Sequence, residues 1–445
     1  MQSGIEWQRN YMLIQNVNKN PIFRLANDIP RIIHLILFFA VLYWLLMYKL
    51  YNYYNSSINL FFQLYGATTA LFLFSRLIIA IYYQDDHKRS FKKSAYPPVS
   101  FVIACKNEEH SISKSIRACL TSVYPGKMEC IAVNDGSTDN TLLEMNKSQK
   151  KYGEQLLKII SFPQNKGKRE AMSEGVLKAK GNIIIFIDSD SFVGKFSTKQ
   201  IVSHFMIDPK IGAVSGNSTV ENSNVNLLTK IQAARYGVSF DIFKVCESVF
   251  GNVTCCPGCF SAYRKSAILQ VMETWRYHKF LGTRSTYGDD RSLTNYILRK
   301  WKVIYCRKAV ATTIVPEKFR QFVLQQLRWK KSWIREGIVN AGSFMWKKHP
   351  VSAVSFYINL IIPIVGPFIV FKIIFFDFLI RGTSPLFFVN GVVSMSILFG
   401  LYYYLIRPNK YWVYVTVFTA LYTFVLIWQM PYAIIKIRDT SWGTR

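Results

Sequence analysis

Three observations on this 445-residue sequence predict an α/β domain with a largely parallel sheet, joined to apolar helices lying in a membrane. Between residues 96 and 330, short apolar runs alternate with helical patterns, the rhythm of strand–helix–strand units. Runs almost free of charge flank this region, each near or above the ~20 residues that cross a ~30 Å hydrocarbon core. All eight cysteines fall between the second and third apolar runs.

Taken in order, residues 1–31 place Trp7, Tyr11, Ile14, Phe23 and Leu25 among Lys and Arg, which fits a helix lying on the inner leaflet. Residues 32–83 hold two expected spans, Ile32–Met47 and Ile58–Tyr83, joined by the short loop Tyr51–Ser57. A signal peptide is not expected, because a polar stretch precedes the first run and no small-residue cleavage site follows it. Residues 96–320 form the folded domain. Val99–Ala104, Cys130–Val133, Leu157–Ser161 and Ile183–Ile187 read as buried strands, and Glu109–Val123, Thr141–Lys151 and Arg169–Lys180 as the helices around them. Residues 321–350 read as amphipathic interfacial helices, and 351–437 as transmembrane and re-entrant helices. Within the latter, Val351–Ile380 crosses out and Leu386–Ile406 crosses back. A full crossing by Tyr411–Ile435 would leave Lys436, Arg438 and Arg445 outside, against the positive-inside tendency. Pro431 removes a helix hydrogen bond in that segment, so a bent or re-entrant final segment and a cytosolic tail, 438–445, are expected.

The formal charge of +29 is concentrated beside the spans: His87-Lys88-Arg89, Lys92-Lys93, Lys330-Lys331 and Lys347-Lys348. Such clusters stay cytoplasmic and attract anionic lipid. No nucleic-acid recognition motif accompanies them, so the lipid bilayer and not nucleic acid is the expected partner. Cys255-Cys256-Pro257-Gly258-Cys259 lacks a second ligand cluster at zinc spacing, which leaves reduced cytosolic thiols.

Ligands of open α/β sheets gather at the carboxyl ends of strands, and the polar motifs fall there. Asn134-Asp135-Gly136 follows the second strand, where Asp135 can meet the base or ribose of a nucleotide, or simply cap a turn. Gly167-Lys168-Arg169 offers cations for a diphosphate, or a solvated helix start. Asp188-Ser189-Asp190 ends an uncharged strand; two carboxylates at i and i+2 can share Mg²⁺ or Mn²⁺, whose charge offsets that of a departing diphosphate. In Gly288-Asp289-Asp290-Arg291 one carboxylate can take the proton of an attacking hydroxyl, while an acid can also favour the start of the helix Ser292–Arg299. Gln325, Arg328 and Trp329 share a helix with Phe319, Phe322, Val323 and Leu327; Arg328 can clamp an anion, or snorkel from an interfacial helix.

In this order the motifs resemble the processive membrane-bound family 2 glycosyltransferases: the cellulose, chitin and hyaluronan synthases. The resemblance runs over nearly all of the chain after about residue 30. It implies a cytosolic GT-A catalytic domain on a transmembrane pore, with Asp290 as base, Asp188 and Asp190 as metal pair, Arg328 as diphosphate clamp and Trp329 stacked under the acceptor sugar. It also puts Asp135, Lys168, Asp188, Asp289, Arg291, Gln325 and Cys256 among substrate-binding residues. The sequence is most similar to hyaluronan synthases, through Gly288–Arg291 followed by Leu293-Thr294-Asn295, Lys331-Ser332, Arg335-Glu336 and the terminal Trp442-Gly443-Thr444-Arg445. That tetrapeptide implies a gating loop, with Trp442 and Arg445 over the nucleotide. One departure is the acceptor loop. It reads Pro257-Gly258-Cys259-Phe260 where hyaluronan synthases carry Ser-Gly-Pro-Leu, and Cys255-Cys256 ahead of it is similar to rhizobial chitooligosaccharide synthases. The expectation is a multi-pass plasma-membrane enzyme that joins UDP-N-acetylglucosamine and UDP-glucuronic acid onto a nascent polysaccharide, using Mg²⁺ or Mn²⁺ and no obligatory protein partner. A synthase of glucose–glucuronic acid capsules, a chitin-type synthase using one donor, and a lipid-directed transferase adding one sugar stay open.

Overall fold

The computed structural model describes residues 21–55, 60–83, 92, 95–382 and 384–439. The expected N-terminal segment up to residue 20, most of the basic stretch 84–94, and the Trp442 and Arg445 positions lie outside the described residues.

Two helices, α1 (Pro21–Asn55) and α2 (Leu60–Tyr82), precede the folded domain. Then follow β1 (Val99–Cys105), α3 (Ile112–Leu120), β2 (Met128–Asp135), α4 (Thr141–Tyr152), β3 (Leu157–Phe162), α5 (Lys168–Lys178), β4 (Ile183–Phe186), β5 (Ser191–Val193), α6 (Ser197–Ile207) and β6 (Ile211–Val220). α7 (Leu227–Val238) continues through a π-helical turn, Ser239–Lys244, into Val245–Val249. β7 (Ser261–Arg264), α8 (Lys265–Arg276), the small hairpin β8 (Lys279–Phe280) and β9 (Thr283–Arg284), α9 (Asp289–Leu298) and β10 (Lys302–Thr313) complete the domain.

The main sheet has the order β3-β2-β1-β4-β7-β6-β10-β5. β3, β2, β1 and β4 run parallel, as do β6 and β10, while β7 and β5 enter antiparallel. The period of two is visible in the packing. Phe101, Ile103, Ala132, Ile183 and Ile185 face one core with Ile112 and Ile116 of α3 and Ile201 and Val202 of α6. Val102, Ile131, Val133, Ile184 and Phe186 face the other, with Ala171 and Val176 of α5, Ile268 of α8 and Ile297 of α9. Strands buried on both faces explain why they read as unbroken apolar runs. The helix expected over Glu109–Val123 is shorter, because residues 108–111 form a turn that Thr141 and Asp139 hold by their side chains.

Past the sheet come α10 (Phe319–Ser343), α11 (Pro350–Phe371), α12 (Leu386–Ile406), α13 (Trp412–Phe424) and α14 (Gln429–Ile435). α11 runs on to Arg381, and that 32-residue helix and the 21-residue α12 are long and apolar enough to cross a membrane. α13 and the segment Leu426–Ile435 make a third candidate only if counted as one span, being bent by 45°. The bend is at Val425–Trp428 and not at Pro431, which sits in the first turn of α14, where its missing N–H has no helical partner to lose. In the N-terminal helices the apolar sections, Ile32–Tyr48 and Leu64–Ala80, are shorter.

Contacts with the sheet domain show which helix ends lie beside it. Tyr83, just past α2, donates to the Tyr305 carbonyl at 2.6 Å. At the start of α11, Asn252 donates to Ser352 at 2.8 Å. Arg407, just past α12, pairs with buried Asp241 at 2.6 Å. Tyr411, ahead of α13, reaches Ser223 at 3.1 Å, and beyond α14 the Asp439 carbonyl accepts from Tyr287 at 2.8 Å. Both ends of the bent pair therefore touch the domain.

Candidate active site

The site forms where β2, β4 and the 255–259 loop end near the start of α9. Asp135, last in β2, is buried; its carboxylate accepts from the backbone N–H of Lys166 at 2.7 Å and of Gly167 at 3.0 Å. Burial raises its pKa, and these two donors partly offset the rise. The carboxylate thus shapes the turn that starts α5.

From that turn Lys168 forms an ion pair with Asp188, which sets it apart from a merely solvated helix start. Burial opposes its charge, but Asp188, with Asp289 and Asp290 behind it, holds the ammonium above its ordinary pKa. Arg169 turns inward and pairs with Asp289 at 2.8 Å, both buried. The Asp289 carbonyl accepts from the Trp275 indole at 2.9 Å. Asp289, expected among substrate-binding residues, is therefore committed to the interior. α9 starts at Asp289, earlier than expected, with Gly288 at its cap position. Asp290 remains half-buried; its Oδ1 accepts from the Arg291 N–H at 2.8 Å and its Oδ2 from the Cys255 thiol at 3.8 Å. Arg291, also half-buried, has its charge opposed by burial and supported by Cys255 and Asp290.

The 255–259 loop touches both carboxylate groups. Gly258 passes so close to Asp188 that a Cβ there would stand 2.8 Å from Oδ1 and 3.0 Å from Oδ2, so any side chain would displace the carboxylate. Cys256, expected to line the substrate, is 0% exposed, and its N–H donates to Thr294 at 2.9 Å. Cys255 is the cysteine that faces Asp290, its thiol pushed up to about 11 by burial. None of the eight cysteines is in a disulfide, and all but Cys255 are buried.

Asp188 and Asp190 are both half-buried, and Asp190 also accepts from the Ser191 hydroxyl at 3.3 Å. No cluster of three or more His, Cys, Asp or Glu fit to hold a metal occurs among the described residues. The pair nevertheless suits a hard cation that completes its shell with phosphate oxygens and water, as Mg²⁺ habitually does.

Gln325, Arg328 and Trp329 are half-buried on α10. α10 is fastened to the start of α9: Arg335 donates to the Tyr287 carbonyl at 2.6 Å, and Glu336 pairs with Arg335 at 3.1 Å and His278 at 3.0 Å. Lys330 and Lys331, expected as juxtamembrane surface charge, are buried at 7% and 4% exposure. Lys331 reaches Asp439 at 3.1 Å, and Lys330 donates to the Leu426 carbonyl at the bend. Arg235 of α7, which the sequence did not single out, places its guanidinium 4.7 Å from the Trp329 ring centroid. A cavity of about 640 Å³ lined by Lys210, Lys300, Trp301 and His349 shares no residue with this constellation.

Residues 97–332 match the model of a family described as "Glycosyltransferase like family 2". Over 430 residues the chain is 25% identical to a hyaluronan synthase of Streptococcus pyogenes, covering 92% of this chain and 96% of that protein. Over 355 residues it is 29% identical to an N-acetylglucosaminyltransferase of Azorhizobium caulinodans, covering 78% and 87%. Among solved structures, a mannosyltransferase from Pyrobaculum calidifontis, in complex with GDP-Man and Mn²⁺, is similar with a TM-score of 0.55 at 16% identity, over 81% of this chain and 99% of that one.

Proposed function

Because this chain belongs to glycosyltransferase family 2 and has its GT-A fold, we propose that it is a processive, inverting synthase that polymerises UDP-sugars into a β-linked polysaccharide, hyaluronan, and exports it through its own membrane helices. The observation that carries this reading is the 255–259 loop, which touches Asp188 through Gly258 and Asp290 through Cys255. One backbone segment thus ties the carboxylates assigned to the donor to the one assigned to the acceptor.

In this scheme Asp135 and the turn it organises receive the nucleoside, and Lys168 and Arg328 face the diphosphate. Asp188 and Asp190 hold Mg²⁺ or Mn²⁺, which when bound offsets charge on the leaving diphosphate. Asp290 takes the proton of the acceptor hydroxyl as its oxygen bonds to the anomeric carbon and the bond from that carbon to UDP breaks. Direct displacement inverts the anomeric centre. Asp289 acts indirectly, as the buried partner of Arg169 that fixes the start of α9. Trp329 offers a flat face to the acceptor sugar.

For topology, the contacts of Tyr83, Ser352, Arg407, Tyr411 and Asp439 with the domain support crossings by α11 and α12 and a re-entrant α13–α14, and the basic clusters beside the spans support a cytosolic side for the domain. A plasma-membrane location follows from a product made inside the cell and used outside it.

The test uses purified full-length protein with Mn²⁺ and UDP-N-acetylglucosamine, with and without UDP-glucuronic acid. High polymer only with both donors, digested by hyaluronidase, is the expected product. Polymer from the single donor, digested by chitinase, overturns hyaluronan in favour of the chitin-type reading.

A further inference from the structure

Beside Trp329 stand two cations with unusual company. The Arg235 guanidinium lies 4.7 Å from the Trp329 ring centroid and 5.8 Å from that of Phe418 on α13. Lys330, next to Trp329 on α10, lies 4.9 Å from the Tyr422 ring centroid and donates to the Leu426 carbonyl. Among the described residues, neither cation has a carboxylate within ion-pair distance. Yet Lys330 is 7% exposed, a setting in which lysine is normally paired.

Their electrostatics agree with this picture. Burial, then the neighbouring Arg235, pushes Lys330 down to about 7. Burial likewise lowers Arg235. The cluster adjoins the reaction site, because Tyr236, next to Arg235, is close enough to Cys259, Asp190 and Asp188 for all three to add to the rise that burial causes in its phenol. A buried lysine beside a half-buried arginine, neither facing a carboxylate, is costly as pure structure. Aromatic faces set against cations are the chemistry that holds a sugar ring bearing a carboxylate: the rings stack on its C–H face and the cations take the charge.

We propose that Arg235 and Lys330, with Trp329, Phe418 and Tyr422, form a subsite for the carboxylate of a uronate unit in the growing chain, at the entry to the bent helix pair. This rests on the polysaccharide reading above and deepens it. The Arg235 fork takes the carboxylate oxygens, and the Lys330 ammonium adds a second cation beside them. Uronate-containing chain is thereby preferred over neutral chain just beyond the transfer point.

The test compares binding of a hyaluronan hexasaccharide and a neutral chitohexaose to the full-length protein in detergent, with Arg235→Gln and Lys330→Met as variants. Wild type is expected to prefer the hyaluronan oligomer by about 10- to 100-fold, the range of a charge-assisted hydrogen bond. Each variant should lose most of that preference while UDP affinity and thermal unfolding stay close to wild type, with Arg235→Lys restoring part of it. In synthesis, Arg235→Gln should release shorter polymer. Unchanged preference in both variants, while wild type still makes hyaluronan, overturns the subsite and leaves the synthase reading standing. A wild-type protein that makes only neutral polymer fails the hyaluronan reading itself and the subsite with it. Unchanged preference together with weaker binding of the variants to phosphatidylglycerol vesicles would assign the cations to lipid and also overturn the proposal.

Discussion

Asp290 and Asp190 are carboxylates of the same kind in different surroundings, and the roles proposed for them differ accordingly. Asp290 is half-buried, with one oxygen held by the Arg291 N–H and the other beside the Cys255 thiol. Asp290→Asn keeps that shape and loses basicity, so sugar transfer should fall by about 10²- to 10⁴-fold, the scale of general-base catalysis, with UDP affinity largely intact. Asp190→Asn should instead weaken donor binding measured in Mn²⁺ as well as turnover, and binding in EDTA should differ little from wild type. Near-normal synthesis by the first variant, or unchanged Mn²⁺-dependent affinity in the second, would remove the residue from its assigned role. The placement of both aspartates was legible in the sequence, because a carboxylate after an apolar strand or at a helix start is a local pattern. Asp289 was not, since its partner Arg169 lies 120 residues away and only the fold brings them together. The same is true of Arg235, a basic residue on a helix whose neighbour Trp329 comes from a different element.

The contact between α9 and α10 sets where Asp290 stands. Gly288 has φ +77°, a left-handed backbone that side chains resist, and it presses against α10 at Ser332. A Cβ there would stand 2.9 Å from the Ser332 Cβ and closer still to its hydroxyl oxygen. Gly288→Ala should therefore destabilise the protein by about 1–3 kcal/mol and push Asp290, two residues on, out of line. Thermal unfolding and polymer yield measure the two effects. Adding Ser332→Gly should relieve the clash but not the backbone strain, so recovery should be partial. Wild-type yield from Gly288→Ala alone would show that α10 does not position the base. The first four strands and the three helices between them were legible to within a few residues because their apolar periods are strong, whereas the elements from β5 to α8 and β10 were not read from the sequence. The terminal helix was legible in kind but not in place: the sequence pointed to Pro431, whereas the break falls at Val425–Trp428. Proline near a helix start has no bond to lose, and the carbonyl exposed at Leu426 is met by Lys330, a partner that no local pattern announces.

Across the whole molecule, charge joins the sheet domain to the apolar helices and then to the tail. Buried Asp241 holds Arg307 of β10 at 3.2 Å and Arg407, just past α12, at 2.6 Å. At the other end, Lys331 and Tyr287 hold Asp439, and Tyr287 immediately precedes the Gly288–Arg291 motif. Asp439 is the last described residue, and the six residues that follow can extend at most about 20 Å. The described chain thus ends at an anchor beside α9, at Lys331 and Tyr287. An Arg brought in by such a segment can close on the diphosphate only after donor has bound, shielding it from water while its bond to the sugar breaks. Deleting Trp442–Arg445 should cripple synthesis without unfolding the protein, since four terminal residues contribute little to a core. Arg445→Ala should lower turnover sharply while the protein stays folded and membrane-embedded. A tail that merely anchors at the interface predicts nearly silent Trp442→Phe and Arg445→Ala variants. Lys331→Met adds a second arm: by releasing Asp439 it should mimic part of the deletion in wild type and add nothing once the four residues are gone. Full polymer output from Arg445→Ala would assign the tail to anchoring alone.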